Sequence, residues 1–329
     1  MKTAVVILNY NGLNHLKTFL PSVTKNTSEA EIWVADNGST DESVSFLKDN
    51  YPDIKIHLIA QNLGFAGGYN EALKHIAADN YILLNSDVEV TSGWLSPLVN
   101  ELQKPEVVAC QPKIRSYTNR AFFEYAGAVG GYLDKLGYPF CRGRIFDTCE
   151  KDEGQYDTPA EILWATGACL AIRSAAFHDA GGFDESFFAH MEEIDLCWRL
   201  RNQGFTITCQ PQSVVYHLGG GTLGTDNPHK TFLNFRNSLL MLYKNLPTGE
   251  AFRKIFFRLL LDGLSGIKFL SEGKWNSCLA IIRAHFAFYG MLGKTQKQKI
   301  TSSALLMPYS ITYLYFVRKI RKFSGLPHA

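Results

Sequence analysis

One acidic residue follows the end of an uncharged, apolar run. The run from Tyr81 to Leu84 leads directly into the polar residues Asn85, Ser86 and Asp87. A short apolar run without strict alternation is typical of a central strand in a parallel sheet that is covered on both faces. Ligands of such sheets bind beyond the carboxyl ends of the strands, so Asp87 is placed to hold a divalent cation against a diphosphate. A turn or a helix cap is the structural alternative for these residues.

Three more acids follow a loop that is rich in aromatic residues. Glu192, Glu193 and Asp195 occupy the first turn of a predicted helix that Gly204 closes. Acids in a first turn complement the helix dipole, and Asp195 can form an ordinary i, i+4 ion pair with Arg199, so a structural role is open. Three acids within four residues favour a functional site instead, in which one of them acts as a general base.

Polar residues also follow the ends of three other predicted strands. Asn9 and Tyr10 follow the apolar residues 4–8, Asp36 follows residues 32–35, and His217 follows residues 213–216. Tyr10 could stack on a nucleobase, and Asp36 has the position of a ribose or base ligand. For Asp36, a turn in which the carboxylate binds its own backbone is an almost equal explanation. A lone histidine such as His217 is more often structural than a ligand.

Two glycine-containing stretches could bring the backbone close to a ligand. In residues 62–70, small residues including Gly67 would let N–H groups at a helix start face a ligand, although such a cluster is weak by itself. In residues 164–168, Gly167 interrupts two apolar runs, and a bulge without function is the alternative. The loop over residues 9–12 lacks the G-x-G-x-x-G pattern, which argues against a nicotinamide or flavin enzyme.

Alternating strands and helices must position these side chains. Apolar runs over residues 4–8, 32–35, 54–59 and 81–84 alternate with segments of helical periodicity. Repeated β-α units of this kind predict an α/β fold with a right-handed, largely parallel sheet. The pattern weakens over residues 94–144, which could shape a second substrate pocket or cover a sheet edge. With 329 residues, the chain suggests roughly two domains or one large domain with an appendage.

Charge is distributed unevenly along the chain. The net charge is +2, but residues 226–329 hold 16 Lys and Arg against 4 Asp and Glu, which leaves 17 against 27 for residues 1–225. Basic and apolar residues alternate in blocks in this C-terminal region, and residues 300–317 carry no charge, which is borderline for a membrane span. We expect interfacial helices on an anionic membrane surface, with a helical dimerisation or packing domain as the alternative.

The cysteines and the N-terminus bear on the compartment. The seven cysteines form no C-x-x-C pair, so reduced thiols in a cytosolic protein are favoured over disulfides or a zinc site. The apolar run over residues 4–8 is too short for a signal peptide. No export is expected.

The order of these segments resembles glycosyltransferase family 2, the inverting GT-A enzymes, and especially the bacterial rhamnosyltransferase-like enzymes of surface polysaccharide assembly. The resemblance extends from residue 4 to the region of residue 240. It rests on residues 5–12, 36–41, 62–70, 85–87, 164–168, 181–184 and 192–195. It implies a Rossmann-like GT-A domain with a mostly parallel sheet, flanking helices and a basic helical C-terminal region. Its parts would be a nucleotide-sugar-binding half at 1–110, an acceptor and catalytic half at 111–225, and the helical region at 226–329.

The resemblance implies a donor site at the edge of the sheet. Asp87 would be the metal-binding acid of a DxD-like motif, and His217 would complete a site for Mg²⁺ or Mn²⁺. At the first position of that motif this chain has Asn85, which removes one carboxylate from the metal and gives His217 more weight. The residues that bind the nucleotide-sugar would be Asn9, Tyr10, Asp36, Asn62, Gly67, Asn70, Asn85, Ser86 and Asp87.

The resemblance also implies a catalytic base. Glu193 matches that base, and Glu192 and Asp195 would orient it or bind the acceptor. The usual Glu-Asp pair is Glu-Glu here, so the longer Glu193 must still reach the acceptor hydroxyl. Trp164 and Gly167 would line the acceptor site.

The implied activity is inverting transfer of a sugar to a hydroxyl of a saccharide acceptor. The donor would be a UDP- or dTDP-sugar, with dTDP-rhamnose as one candidate. A lipid-linked acceptor in cell-surface polysaccharide synthesis would suit a cytoplasmic enzyme held peripherally on the inner face of the plasma membrane. No nucleic-acid partner is expected, and a homo-oligomer is open.

Two other functions compete with this one. A sugar-1-phosphate nucleotidyltransferase also uses a nucleotide-binding α/β sheet, but it would carry a glycine-rich, basic loop where this chain has residues 9–12. A nucleotide-sugar-binding scaffold without catalysis is kept open by the departures at Asn85 and Glu193.

Overall fold

The computed structural model describes residues 1–219, 227–298 and 305–327. The described strands are β1 (Thr3–Asn9), β2 (Glu31–Asn37), β3 (Lys55–Ile59), β4 (Asn80–Asn85), β5 (Val88–Val90), β6 (Val107–Ser116), β7 (Gly131–Leu133), β8 (Pro139–Cys141), β9 (Arg144–Ile145), β10 (Thr148–Cys149), β11 (Ala160–Ile162), β12 (Cys169–Arg173) and β13 (Thr206–His217). The described helices are α1 (Leu13–Asn26), α2 (Ser43–Asn50), α3 (Gly64–Leu73), α4 (Leu95–Glu101), α5 (Ser174–Asp179), α6 (Glu192–Asn202), α7 (Pro228–Asn245), α8 (Thr248–Ser271), α9 (Trp275–Met291) and α10 (Ile311–Phe316).

Strands β1 to β4 form the parallel part of the main sheet, in the order β3-β2-β1-β4. Val5 and Ile7 of β1 pack into a core with residues of α1 and α4, whereas Ala4 and Val6 join a second core with residues of α3. Because helices cover both faces, the central strands β1 and β4 are buried along nearly their whole length. The predicted α/β sheet is confirmed.

The sheet becomes mixed beyond β4. Strand β12 is antiparallel to both β4 and β6, and β13 is parallel to β6 and antiparallel to β5 and β11. The resulting order is β11-β13-β6-β12-β4-β1-β2-β3, with β5 beside β13. One continuous sheet therefore includes strands from Thr3 to His217, on both sides of residue 110.

The segment between β6 and β11 builds a second, four-stranded antiparallel sheet in the order β10-β9-β8-β7. Residues near the C-terminus pack onto it. The backbone N–H of Ile311 donates to Asp134 Oδ2 at 2.9 Å, and the N–H of Phe323 donates to Glu150 Oε1 at 2.8 Å. The later part of the weakly patterned residues 94–144 thus belongs to an ordered insert that contacts Ile311 and Phe323.

The C-terminal region is helical, as predicted. Helices α7, α8 and α9 pack against one another, and α7 also packs against α6. Among the described helices, none is both long and apolar enough to cross a membrane. Of the uncharged residues 300–317, positions 300–304 lie outside the described residues, and α10 is the helix in the remainder. All seven cysteines are unpaired.

Candidate active site

The carboxyl ends of the parallel strands bring several of the predicted polar residues together. In the register of the sheet, Asn9 of β1 lies opposite Asp36 of β2, and Leu8 lies opposite Asn85 of β4. Asp87 follows in the turn between β4 and β5 and is buried. The sheet therefore places the predicted donor-site residues of three strands at one edge.

Strand pairing also brings His217 to Asp87. His217 ends β13 and lies opposite Val88 of β5, the residue that follows Asp87. His217 Nε2 lies 3.2 Å from Asp87 Oδ1, and the N–H of Leu218 donates to the Asp87 carbonyl at 3.1 Å. A carboxylate oxygen and an imidazole nitrogen at this separation fit two neighbouring ligands of one divalent cation, since each metal–ligand bond is about 2 Å long.

Glu124 is a member of this group that the sequence analysis missed. Its Oε2 lies 3.1 Å from His217 Nδ1 and accepts the N–H of Ala126 at 2.6 Å. A metal-binding histidine usually gives its second ring N–H to a carboxylate, which fixes the tautomer. Glu124 lies in the loop after β6, and no motif in the sequence marks this acid. Its position brings a second carboxylate to the imidazole of His217.

The charges of this group act on one another because all three side chains are buried. Burial lowers the pKa of His217, but the carboxylates of Asp87 and Glu124 outweigh it and raise the pKa to about 10. Burial opposes ionisation of Asp87 as well, and His217 nevertheless holds the pKa of that carboxyl below its ordinary value. A cation at Nε2 would take the place of a proton that the two acids otherwise retain.

Asp36 forms the turn that was one of the two roles the sequence left open. Both carboxylate oxygens of buried Asp36 accept the N–H of Ser39, at 3.1 and 3.3 Å, which is the predicted turn. Asn9 Nδ2 donates to Ser39 Oγ at 3.2 Å, while Asn9 Oδ1 is buried without a hydrogen-bond partner in the described structure. Tyr10 beside them is exposed. An unpaired acceptor and an exposed ring at this edge are available to a ligand.

Asn62 and Gly67 shape the start of α3. Asn62 Oδ1 accepts Asn37 Nδ2 at 3.1 Å and the N–H of Gly64 at 2.8 Å. A Cβ on Gly67 would lie 2.9 Å from Cβ of Leu63, so this position requires a glycine for packing. Both residues therefore fix the backbone at the edge of the predicted donor site.

The expectation that amides at the start of α3 face a ligand needs correction. The N–H groups of Phe65 and Ala66 donate to the carbonyl of Phe188, at 2.8 and 3.3 Å. Asn70 on the same helix donates to the carbonyl of Phe183 at 2.8 Å and accepts its N–H at 2.9 Å. The small residues at this helix start indicated a ligand-binding site. Instead, the N–H groups of α3 and the side chain of Asn70 bind the loop that precedes α6.

Glu192 and Glu193 begin α6 and differ from ordinary surface acids. The Oε2 atom of each is buried and has no hydrogen-bond partner among the described residues. Burial raises the pKa of Glu193 to about 7. Burial and the charge of Glu193 raise the pKa of Glu192 as well. An acid whose pKa lies near neutrality and whose oxygen is unpaired fits a general base.

Asp195 is held in a buried ion network rather than presented to a ligand. Its Oδ2 accepts Arg199 Nε at 2.8 Å and Lys244 Nζ at 2.9 Å, and its Oδ1 accepts Asn245 Nδ2 at 2.7 Å. Lys244 also donates to Asp184 at 2.6 Å. The ion pair with Arg199 is the structural alternative from the sequence, and Asp195 fixes α6 against α7.

The loop before α6 has an unusual backbone that α7 holds in place. Phe188, His190 and Met191 have positive φ angles of 64°, 70° and 75°, which is strained for residues with side chains. Nδ2 of buried Asn237 lies 2.8–2.9 Å from three carbonyl oxygens of this loop. These belong to Phe187, Ala189 and His190. No sequence pattern marks Asn237, because its partners are backbone atoms far away in the chain.

Trp164 and Gly167 are placed differently from the acceptor-binding expectation. Trp164 is buried, and its indole N–H donates to the carbonyl of Tyr132 at 3.0 Å. A Cβ on Gly167 would lie 3.0 Å from the ring of Phe65, so the close approach that this glycine permits is to a side chain. The indole of Trp164 is therefore used in packing and is not presented to an acceptor in this conformation.

Residues 165 and 166 connect the two candidate groups. The N–H of Ala165 donates to Cys197 Sγ on α6 at 3.5 Å, whereas the N–H of Thr166 donates to Gln111 Oε1 of β6, the strand that precedes Glu124, at 3.0 Å. The candidate site joins the end of the parallel sheet to the start of α6.

The fold defines the class of protein. GalNAc-T7, solved with UDP, GalNAc and Mn²⁺, superposes with a TM-score of 0.59 at 19% identity and covers 74% of this chain and 48% of its own. The mannosyltransferase PcManGT of Pyrobaculum calidifontis, solved with GDP-Man and Mn²⁺, gives 0.52 at 13% identity and covers 88% of this chain and 87% of its own. The chain has the GT-A glycosyltransferase fold, as the sequence predicted.

The sequence comparison gives the family. The model of Glycosyl transferase family 2 matches residues 4–179, which is more than half of the chain. The chain therefore belongs to glycosyl transferase family 2, and the resemblance noted above is confirmed. The N-acetylglucosaminyl-diphospho-decaprenol L-rhamnosyltransferase of Mycobacterium tuberculosis is 26% identical over 238 residues, which are 68% of this chain and 78% of that protein. The protein is a glycosyltransferase.

Proposed function

We propose that this glycosyltransferase moves a sugar from a nucleoside-diphosphate donor to a hydroxyl of a saccharide acceptor, with inversion at the anomeric carbon. The observation that carries the proposal is a pair of complementary groups in one region. Asp87 and His217 offer ligands for a cation, and Glu193 is an acid whose pKa is about 7. Within the chain, residues 1–110 would bind the donor and residues 111–225 the acceptor.

The donor would be a UDP- or dTDP-sugar at the carboxyl edge of β1, β2 and β4. Tyr10 would stack on the base, and Asp36 would contact the ribose or base beside it. Asn9, Asn62, Gly67 and Asn70 would border the sugar-nucleotide, together with Asn85 and Ser86. Two of the proteins that share the fold were solved with UDP or GDP-Man, which supports a donor of this chemical class.

Asp87 and His217 would hold Mg²⁺ or Mn²⁺ at the donor diphosphate. A bound cation supplies Lewis acidity to the leaving nucleoside diphosphate. Glu124 would keep the proton of His217 on Nδ1, so that Nε2 presents its lone pair toward Asp87. Burial of all three side chains keeps water out of the group and makes its charges effective.

Glu193 would act as the general base. Its carboxylate takes the proton of the acceptor hydroxyl while that oxygen bonds to the anomeric carbon and the bond from that carbon to the diphosphate oxygen breaks. Attack from the face opposite the leaving group inverts the configuration. Glu192 would stay protonated beside an ionised Glu193, because two adjacent buried carboxylates cannot easily ionise together.

The acceptor would be a lipid-linked saccharide of a cell-surface polysaccharide pathway. The name of the mycobacterial relative includes N-acetylglucosaminyl-diphospho-decaprenol, which is a lipid-linked saccharide. The excess of basic residues in 226–329 would suit an enzyme that works at an anionic membrane surface from the cytoplasmic side. A catalytically inactive nucleotide-sugar-binding scaffold is the alternative that the unusual Asn85 leaves open.

A transfer assay tests the proposal. The full chain is incubated with Mn²⁺, a panel of UDP-, dTDP- and GDP-sugars and an N-acetylglucosaminyl-diphospho-polyprenol acceptor, and the product linkage is read by NMR. We expect an inverted product from one donor, and a loss of about a hundredfold or more in kcat for Glu193→Gln, with donor binding retained. Glu153→Gln, at an exposed acid, is the matched control. Unchanged turnover in Glu193→Gln would remove the base assignment, and transfer from no donor would favour the scaffold.

A further inference from the structure

Helices α8 and α9 present a large apolar surface to solvent. The exposed members, here called the docking face, are Phe252, Phe256, Phe257, Leu260, Leu264 and Ile267 on α8 and Trp275, Leu279, Ile282, Phe286 and Tyr289 on α9. Each is between 48% and 75% exposed. Contiguous exposed apolar surface of this kind marks an interaction site.

The docking face is a second apolar face on helices that already have one. Ile255 of α8 and Phe288 of α9 point inward and are buried in the main core. The exposed residues recur at spacings of three and four positions, so they form continuous stripes on the outer side of each helix. An open groove of about 270 Å³ separates the two helices and is lined mainly by apolar side chains. The outer apolar stripes are therefore not covered by any described part of the chain.

Basic side chains surround the docking face. The exposed ones on this helical hairpin and just after it are Arg253, Lys268, Lys274, Arg283 and Lys294. The three acidic residues of this helical hairpin are either paired with lysines or buried. Glu272 lies 3.7 Å from both Lys268 and Lys274, Glu250 pairs with Lys254, and Asp262 is buried. The partner that this pattern fits is apolar inside and negatively charged at its surface.

We propose that the docking face inserts into the interfacial region of an anionic lipid bilayer, an inference that rests on the proposed lipid-linked acceptor. A bilayer offers acyl chains to the aromatic stripes and acidic headgroups to the basic rim. A second copy of this chain fits less well, because a two-fold interface would bring the basic rims of both copies together.

The docking face is fixed to the candidate active site. Arg258 of α8 is buried and donates to Ser238 Oγ on α7 at 2.9 Å and to the carbonyls of Leu136 and Gly137 at 3.3 Å. Helix α7 in turn holds the loop before Glu193 through Asn237. Contact with the bilayer would therefore set the orientation of the acceptor side of the enzyme relative to the lipid surface.

Vesicle co-sedimentation of the full chain tests the proposal. The probes are vesicles of phosphatidylcholine alone and of phosphatidylcholine with phosphatidylglycerol. We expect wild type to bind the anionic vesicles about tenfold or more tightly than the neutral ones at low salt. Phe256→Ser combined with Leu264→Ser and Phe286→Ser should lose binding by about tenfold or more, while Leu58→Ser, at an exposed leucine on β3, should bind like wild type.

A second variant separates charge from apolar contact. Arg253→Glu with Arg283→Glu should abolish the preference for anionic vesicles, and it keeps the test decisive if the triple serine variant does not fold. No vesicle binding by wild type, or binding by both variants that is as tight as that of wild type, would overturn the proposal. A dimer in solution that the serine variant dissociates, without vesicle binding, would assign the face to a second copy.

Transfer to a short-chain, water-soluble acceptor distinguishes this inference from the proposed function. The docking-face variants should turn over that acceptor at the wild-type rate and lose transfer only to acceptor embedded in vesicles. A wild type that binds anionic vesicles but transfers no sugar to either acceptor contradicts the proposed function and leaves the docking face standing.

Discussion

His217 Nε2 lies 3.2 Å from Asp87 Oδ1, although the two residues are far apart in the sequence. The pairing of β13 with β5 fixes this distance, because it sets His217 opposite the residue that follows Asp87. The fold thus brings an imidazole from the end of β13 to the acid that follows β4.

Glu124→Gln should weaken metal binding without removing it. The amide oxygen of glutamine is a weaker hydrogen-bond acceptor for the Nδ1–H of His217 than the carboxylate is. His217 therefore becomes a poorer metal ligand, and the apparent affinity for Mn²⁺ should fall by about tenfold to a hundredfold. Titration with Mn²⁺, followed by electron paramagnetic resonance, measures this affinity. Glu153→Gln should leave it unchanged, and equal affinities in both variants would exclude Glu124 from the site.

The rate of transfer should rise with pH around neutrality. Glu193 must be ionised to accept a proton, and burial raises its pKa from 4.5 to about 7. At saturating substrates, kcat should therefore increase through about pH 7 and then level off, with an apparent value that belongs to the Glu192 and Glu193 pair. Stopped assays across this range measure the profile. A rate that is already constant from pH 5 upward would contradict the assignment.

The raised pKa of Glu193 also predicts that the free energy of unfolding falls as pH rises, whereas the rate of transfer increases. The folded state keeps the Glu193 proton up to about pH 7, whereas the unfolded chain loses it near 4.5. Folding therefore becomes less favourable as pH rises through this window. Relative to Glu193→Gln, the free energy of unfolding of wild type should fall over that range in urea melts. A difference that is independent of pH would show that Glu193 is not buried in this way.

Asn237→Ala should impair catalysis more than donor binding. The change leaves carbonyls of the strained loop before α6 without their donor, and an unmade buried hydrogen bond costs about 1–3 kcal/mol. We expect a lower Tm and a drop in kcat of about tenfold, with the dissociation constant of the donor nearly unchanged. The control is Asn234→Ala on the same helix. A normal kcat with only a lower Tm would limit Asn237 to a structural role.

The parallel part of the fold could be predicted because its signals are local. The apolar strands end in polar residues at Asn9, Asp36 and Asn85, and parallel strands end at one edge. Glu193 could be singled out in the same way, as one of three acids in the first turn of a predicted helix. The mixed half of the sheet and the insert after β6 could not, because their pairings join segments that are distant in the chain.

The remaining site residues depend on tertiary contacts that leave no local pattern. Glu124 gains its role only when β13 delivers His217 beside it, and Asn237 binds carbonyl oxygens, which any residue carries. Asp195 shows the converse case. The sequence around Asp195 is compatible with a ligand-binding acid and with an ion pair to Arg199. Burial of Asp195 beside Lys244 of α7 favours the ion pair.

Calorimetry of donor binding measures whether the donor site at Asp87 depends on a metal ion. UDP-, dTDP- and GDP-sugars are titrated into wild type and Asp87→Ala, first with Mn²⁺ and then with EDTA. We predict that one nucleotide class binds wild type in the presence of Mn²⁺, and that EDTA or the substitution weakens this binding by about tenfold or more. Binding of equal strength with and without metal, in both proteins, would contradict a metal-dependent donor site at Asp87.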